Sequence, residues 1–272
     1  MKFEINYDEK KEDLEITKDG YTIEDKIDSD DVFNTFFATK DTNDKINILK
    51  EAIEIYEYNF LAKAAYINLM YEDNENIRLK KLLELKKEAK NYIVKYCDLP
   101  KDFDSYKQFW MDHNTRDYMR ITQQLGRAYA ENEKYNLAIR EYKYLLKINP
   151  NDNQGIRFDI VLMYALDGRI NLLHKSLMRV DNTSLLYNGS LLAYYYIYET
   201  EKFMDIYNSN KIDPDFKLFI SNKEFAKPTA FFSLRDKFQD TQLKLFNEYW
   251  DYIRSEQFMI LDIIIAIKTL IK

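Results

Sequence analysis

The 272-residue chain is 46% apolar and 32% charged, the balance of a folded protein with a real core. Only 5 Gly and 4 Pro occur, which argues against all-β and doubly wound sheets and favours long helices joined by short polar links. The net charge of -6 lacks the basic surplus of a nucleic-acid binder, so no nucleic-acid partner is expected.

The charge is uneven. Residues 1–31 hold twelve Asp/Glu against five Lys, a balance of -7 that leaves the remainder near +1. This acidic start reads as a solvated arm. Within residues 1–40, Leu14-Glu15-Ile16-Thr17, Asp19-Gly20 and Tyr21-Thr22-Ile23 have the alternation and turn of a β-hairpin, with disorder as the alternative. The segment is expected to be non-helical. The amino terminus has no apolar core of a secretory signal, and a cytoplasmic location follows as the expectation.

From Asn43 onward apolar residues recur at three- and four-residue steps. Ile46, Leu49, Ala52, Ile53 and Tyr56 mark one helix, and Phe60 to Met70 mark a second. A third runs from about Asn76 to Tyr96, with Arg78, Lys80, Lys81, Lys86, Lys87 and Lys90 read as its solvated face. Cys97 sits in an apolar helical pattern as a buried structural thiol. One cysteine supports neither a disulfide framework nor a multi-cysteine zinc site, and only His113 and His174 could activate it. The break at Leu99-Pro100 separates a helical subdomain (41–100) from a repeat core (101–212), followed by carboxyl-terminal helices (213–272).

The segment from Met119 to Asp152 carries the strongest pattern. Leu125 and Gly126 occupy its seventh and eighth places, Tyr129 the eleventh, Ala138 the twentieth, Tyr142 the twenty-fourth and Pro150 the thirty-second. These residue types at these spacings match the consensus of the tetratricopeptide repeat (TPR), apart from Leu145 in place of alanine. Gly126 and Ala138 are small where two helices should cross, Tyr129 and Tyr142 fill the wedge beside them, and Pro150 stops the second helix. Asn151 with Gln154 has the spacing of a capping box for the next helix. A shift of 35 residues aligns Tyr129-Ala130 with Tyr164-Ala165, and a more divergent pair follows from Ser184 to Ile212. The expected fold is all-α: tandem TPR-like helix-turn-helix repeats stacked into a right-handed α-solenoid. The stretch from Pro214 to Pro228 reads as irregular, with last helices over 237–254 and 258–271.

Asn114 to Arg120 (NTRDYMR) and Asn149 to Arg157 (NPNDNQGIR) resemble a bacterial TPR family that carries a Glu-Thr-Arg-Pro-Tyr-Met-Arg element and an Asn-Pro-Asn-Asp-Asn-Gln-Gly run. That family is similar to the repeat region of the suppressor-of-tumorigenicity-7 proteins. The resemblance covers roughly Ile46 to Glu199 and implies TPR folding without any assigned chemistry. Asn114 and Asp117 stand where the family has Glu and Pro.

In stacked repeats the first helix of each pair faces the concave side. Arg116, Arg120, Gln123 and Arg127 form one stripe there, suited to a carboxylate or acidic peptide, with a plain solvated face as the alternative. Phe158 and Leu162 fall at the matching places of the next first helix, either as an apolar half of the groove or as core. Tyr187, Tyr194 and Tyr198 form a further stripe read as buried packing. Phosphate-loop, HExxH, GxSxG and dinucleotide patterns are missing. The chain therefore reads as a non-enzymatic scaffold for a peptide or protein segment, needing no metal and no cofactor. A peptide-responsive regulatory receptor and a self-assembling structural protein are the alternatives. The carboxyl-terminal run from Phe258 is too short and charged to span a membrane, and its Ile263, Ile264, Ile265 and Ile267 suggest a homo-oligomer contact.

Overall fold

A computed structural model describes residues 20–96, 109–111 and 113–221, with 244–245, 247, 263–267 and 271. The chain divides into two compact units, Met1–Ile156 and Arg157–Lys272, inside the stretch that the sequence suggests is one repeat core. Among the described residues the secondary structure is entirely helical.

The first unit contains α1 (Ile23–Thr35), α2 (Thr42–Ile55), α3 (Phe60–Met70), α4 (Glu75–Tyr96), α5 (His113–Glu131) and α6 (Tyr135–Ile148). Each packs on its neighbour in the chain, and α3 also packs on α5. This sequential packing is consistent with a helical-repeat arrangement.

Tyr21-Thr22-Ile23 is a helix entry and not a hairpin strand. Thr22 Oγ1 accepts the Asp25 N–H at 3.0 Å, and the Asp25 carboxylate accepts the Thr22 N–H at 2.5 Å. This reciprocal cap starts α1, and its hydrogen bonds hold the Asp25 carboxyl below the ordinary range. Part of the acidic arm is thus helical, whereas Leu14 to Thr17 lie outside the described residues. Phe33 of α1 joins Leu49, Ala52 and Ala62 in a shared core.

A polar lock sits beside that core. Asn59 caps α3 by accepting the Ala62 N–H at 3.0 Å. Its amide also donates to Ser29 Oγ at 2.9 Å and to the Asp30 carboxylate at 3.2 Å. Ser29, fully buried, donates to the Ala52 carbonyl at 2.6 Å. Two side chains, Asn59 and Ser29, therefore tie α1, the last turn of α2 and the start of α3.

The basic face expected on α4 is only partly solvated. Lys80, Lys81 and Lys87 are exposed, but Arg78 reaches Glu131 of α5 at 2.6 Å and Lys86 pairs with Glu141 of α6. Glu141 keeps only 5% of its surface. A side chain long enough to reach across a neighbouring helix is indistinguishable, by spacing alone, from one that points to water.

At the α5–α6 crossing a Cβ on Gly126 would lie 2.5 Å from the Tyr142 ring, which explains the glycine. Ala138, Tyr142 and Leu145 are all buried there. Asn149 closes α6 and Pro150 follows it. The expected Asn151–Gln154 capping box does not form. The side chain of Asp152 accepts the Ile156 N–H at 2.7 Å, and the helix starts later than the box would place it.

The second unit opens on α7 (Ile156–Leu166) and continues with α8 (Ile170–Leu177), α9 (Leu185–Tyr198), α10 (Thr200–Asn208) and α11 (Pro214–Ser221). The turns before α6 and α8 repeat at the 35-residue offset. Glu133 and Gly168 both have positive φ, at 56° and 69°. Lys134 N–H bonds the Tyr129 carbonyl at 2.8 Å, and Arg169 N–H bonds the Tyr164 carbonyl at 2.9 Å. Tyr198 lies across Gly168 and donates to the Leu166 carbonyl at 2.7 Å. Leu185 to Tyr195 are buried apart from half-buried Tyr187, but Tyr198 is 48% exposed, so the tyrosine stripe is not uniformly core.

Two expectations at the carboxyl end are corrected. Residues from Pro214 form α11 rather than an irregular stretch, with Asp213 accepting the Phe216 N–H at 2.9 Å. The proposed oligomer contact through an apolar carboxyl-terminal helix is overturned. Among the described residues no helix is long and apolar enough to cross a membrane. Of the isoleucine cluster, Ile264 and Ile267 are buried at 0% and 2%, so these two side chains pack within the chain. Cys97 lies outside the described residues.

Gly126→Ala is expected to lower stability by about 1–3 kcal/mol, because overpacking against Tyr142 outweighs the gain of roughly 1 kcal/mol in helix propensity. A urea midpoint would report it, and Tyr142→Leu in the same chain should recover part of the loss. Asn59→Ala removes a cap and two interhelical bonds and should cost about 1–3 kcal/mol by the same measurement.

Candidate functional site: the polar strip of α5

Helix α5 packs against α3, α4 and α6, and most of its surface is covered. Thr115, Tyr118, Met119, Ile121, Thr122 and Leu125 are buried, as are residues 126 and 128–130. The strip left to solvent carries Arg116, Asp117, Arg120, Gln123, Gln124 and Arg127. The four residues singled out by spacing all lie on it. They do not all point outward.

Arg116 is turned into structure: its Nε donates to the Trp110 carbonyl at 2.8 Å and its guanidinium lies 5.0 Å from the Trp110 ring. Arg120 is 48% exposed and stands 3.6 Å from the Asp117 carboxylate one turn before it. Gln123 accepts from Gln154 at 3.1 Å. Arg127 is half-buried and has no ion-pair partner among the described residues.

Two features escaped the sequence reading. Gln124 accepts from Asn68 of α3 at 3.0 Å, joining two helices that are not neighbours in the chain. Asp117 is surrounded closely enough that burial raises its carboxyl, a shift opposed by Lys26 and Arg120 and reinforced by Asp30. Lys26 and Asp30 belong to α1, so α1 and α5 share one electrostatic neighbourhood. Asn68 breaks an apolar helix and could have been noticed for that. The Asp117 neighbourhood required the third dimension.

The strip therefore alternates cations with side-chain amides. An amide carries both a donor and an acceptor, the complement of a peptide unit, and an Arg fork suits a carboxylate. The Gln154 carbonyl oxygen is buried and lacks a hydrogen-bond partner.

Phe158 and Leu162 lie on α7 in the second unit. Phe158 is 47% exposed, whereas Leu162, at 6%, is a core side chain with little surface to offer a ligand. Among the described residues no group of three or more His, Cys, Asp or Glu side chains is placed to hold a metal ion. His174 is exposed.

Comparison with protein-family models, with curated proteins and with solved structures finds no match to this chain. The likeness of NTRDYMR and NPNDNQGIR to a bacterial repeat family rests on those motifs alone.

Because the folded-state pKa of Asp117 is raised, the folded protein binds this proton more tightly than the unfolded chain does. Its contribution favours folding at low pH and declines as pH rises from the ordinary carboxylate range through the raised value. Asp117→Asn should remove that slope, seen as a smaller difference from wild type at pH 4 than at pH 7 in urea titrations.

Proposed function

We propose that the chain is a non-enzymatic TPR-type scaffold whose first unit holds an extended peptide along the polar strip of α5. The observation that carries this reading is the asymmetry of packing. Alternate helices α3 and α5 pack directly, whereas α4 and α6 are bridged by the long Lys86–Glu141 pair. Closer approach on one side of a helical stack favours curvature toward that side, which supports reading the α3 and α5 strip as the inner surface.

The chemistry of that surface supports the choice of ligand. Asn68, Gln123 and Gln124 offer paired amides to a peptide backbone, while Arg120 and Arg127 offer cations to acidic side chains or a terminal carboxylate. The amides already bond one another, so a ligand exchanges existing bonds for its own and needs several contacts for useful affinity. An acidic, extended segment fits these demands best.

The test is a peptide array scored for bound protein. Arg120→Ala with Arg127→Ala should preserve helicity by circular dichroism and weaken the best acidic peptide at least about tenfold, the effect of losing charged hydrogen bonds worth roughly 1.5–3 kcal/mol each. Equal capture by the double mutant would refute the assignment of this strip.

A further inference from the structure

Six aromatic rings meet where the start of α1, the link from α2 to α3 and the last turns of α4 come together. Tyr21 leads into α1, Tyr56 and Tyr58 lie between α2 and α3, Phe60 opens α3, and Tyr92 and Tyr96 lie in the last turns of α4. Tyr21 stands edge-on to Tyr56 at 5.4 Å and to Tyr58 at 6.1 Å, and Phe60 stands edge-on to Tyr92 at 5.4 Å. Tyr92 lies 4.9 Å from Tyr96. It lies 4.6 Å from Tyr58, the closest of these pairs, with the two rings tilted by 39°.

Aromatic pairs of this kind add to packing, but packing asks only for rings. Five of these six carry a hydroxyl, and phenylalanine would fill the same space without a polar group to satisfy. What a phenol adds is ready oxidation. It gives up an electron together with its proton, and two phenoxyl radicals in contact join through the ring carbons beside their oxygens.

Burial sorts the cluster. Tyr56 keeps 3% of its surface, and its hydroxyl lies 3.0 Å from that of Tyr92 in a hydrogen bond that either can donate. Burial, reinforced by Tyr92, holds the Tyr56 phenol above its ordinary range, so that ring keeps its proton. Tyr58 and Tyr92 are half-buried, and each presents one part to solvent and another to its partner. At their separation, coupling calls for ring rotation rather than a new encounter between helices.

The geometry points to Tyr58 and Tyr92 as an oxidative crosslinking site, where a one-electron oxidant joins them into dityrosine and braces α3 against α4. Each phenol gives one electron to an equivalent of the oxidant and one proton to water. The two radicals form a carbon–carbon bond between ring positions beside the oxygens, and the hydrogens at those positions move to the oxygens. The net change is the loss of two hydrogen atoms. Tyr92 lies 34 positions beyond Tyr58, with α3 between them, so the new bond closes a loop and restrains the unfolded chain. The site is separate from the strip of α5 and does not depend on a peptide binding there.

Brief illumination of the full chain with tris(bipyridine)ruthenium(II) and persulfate, at low protein concentration, supplies the oxidant and tests the site. The expected product is a monomer two hydrogens lighter, with dityrosine fluorescence and a digest peptide that joins Tyr58 to Tyr92. Its urea midpoint should lie above that of the unreacted chain. Tyr58→Phe and Tyr92→Phe each keep the ring, with helicity checked by circular dichroism, and each should lose most of the dityrosine signal. Tyr96→Phe should retain it, although its ring also touches Tyr92. Illumination in urea, where the rings are apart, should not give the joined peptide. The inference is overturned if no dityrosine forms, if it forms mainly at other pairs, or if either single variant keeps the wild-type yield. A joined peptide formed equally well in urea, or a crosslinked chain with an unchanged midpoint, overturns it as well.

Discussion

The covering of α5 on three sides is the constraint from which the first unit is built. A helix with buried side chains over most of its circumference needs neighbours that approach closely, and the sequence supplies the means at each contact. Gly126 lets the Tyr142 ring sit against the backbone where α6 crosses. Arg78 of α4 reaches Glu131, and Asn68 of α3 reaches Gln124. Once these contacts are made, α5 has one strip left, and its polar character follows from the need to keep that strip wetted. The candidate site is thus a remainder of packing as much as a feature added to it.

The Lys86–Glu141 pair shows how charge enters this arrangement at some cost. A carboxylate as enclosed as Glu141 pays a desolvation penalty that pairing repays only when other polar contacts help. Here they do: Lys86 lies 5.1 Å from the Tyr144 ring and 5.9 Å from the Tyr118 ring, and the two tyrosine hydroxyls are 3.2 Å apart. The pair spans two helices that do not otherwise pack closely. Its plainest role is to fix their spacing.

Much of this was legible in the chain, and the reasons are specific. Small residues at crossings and a tyrosine beside each turn are local signals, so the α5–α6 pair could be read directly. The 35-residue relation reappears as two turns with a positive-φ residue at the same place and the same backbone bond. Legibility ended where a side chain served a distant partner. Lys86 and Lys87 are adjacent and chemically identical, yet one is tied to Glu141 and the other is exposed. Tyr21-Thr22-Ile23 could be taken for a hairpin strand because Thr and aromatic residues favour strands, and only the reciprocal Thr22–Asp25 cap decides for a helix. The face of α5 followed from its own periodicity, whereas the inward turn of Arg116 depended on Trp110, which precedes the helix.

The difference between Arg116 and Arg127 carries the last step. Both lie on the same stripe and both are half-buried. Arg116 has a carbonyl and an aromatic face to satisfy it, and so contributes to holding α5 in place. Arg127 has no carboxylate opposite it among the described residues, although Glu131 stands one turn further along and is claimed by Arg78. A guanidinium that is neither fully hydrated nor paired is poised to gain from an incoming anion, because part of its desolvation is already spent in the folded chain. Shared residue type and shared face therefore do not make these two arginines equivalent: the one already satisfied builds the surface, and the one left unsatisfied is the stronger contact for the acidic ligand proposed above.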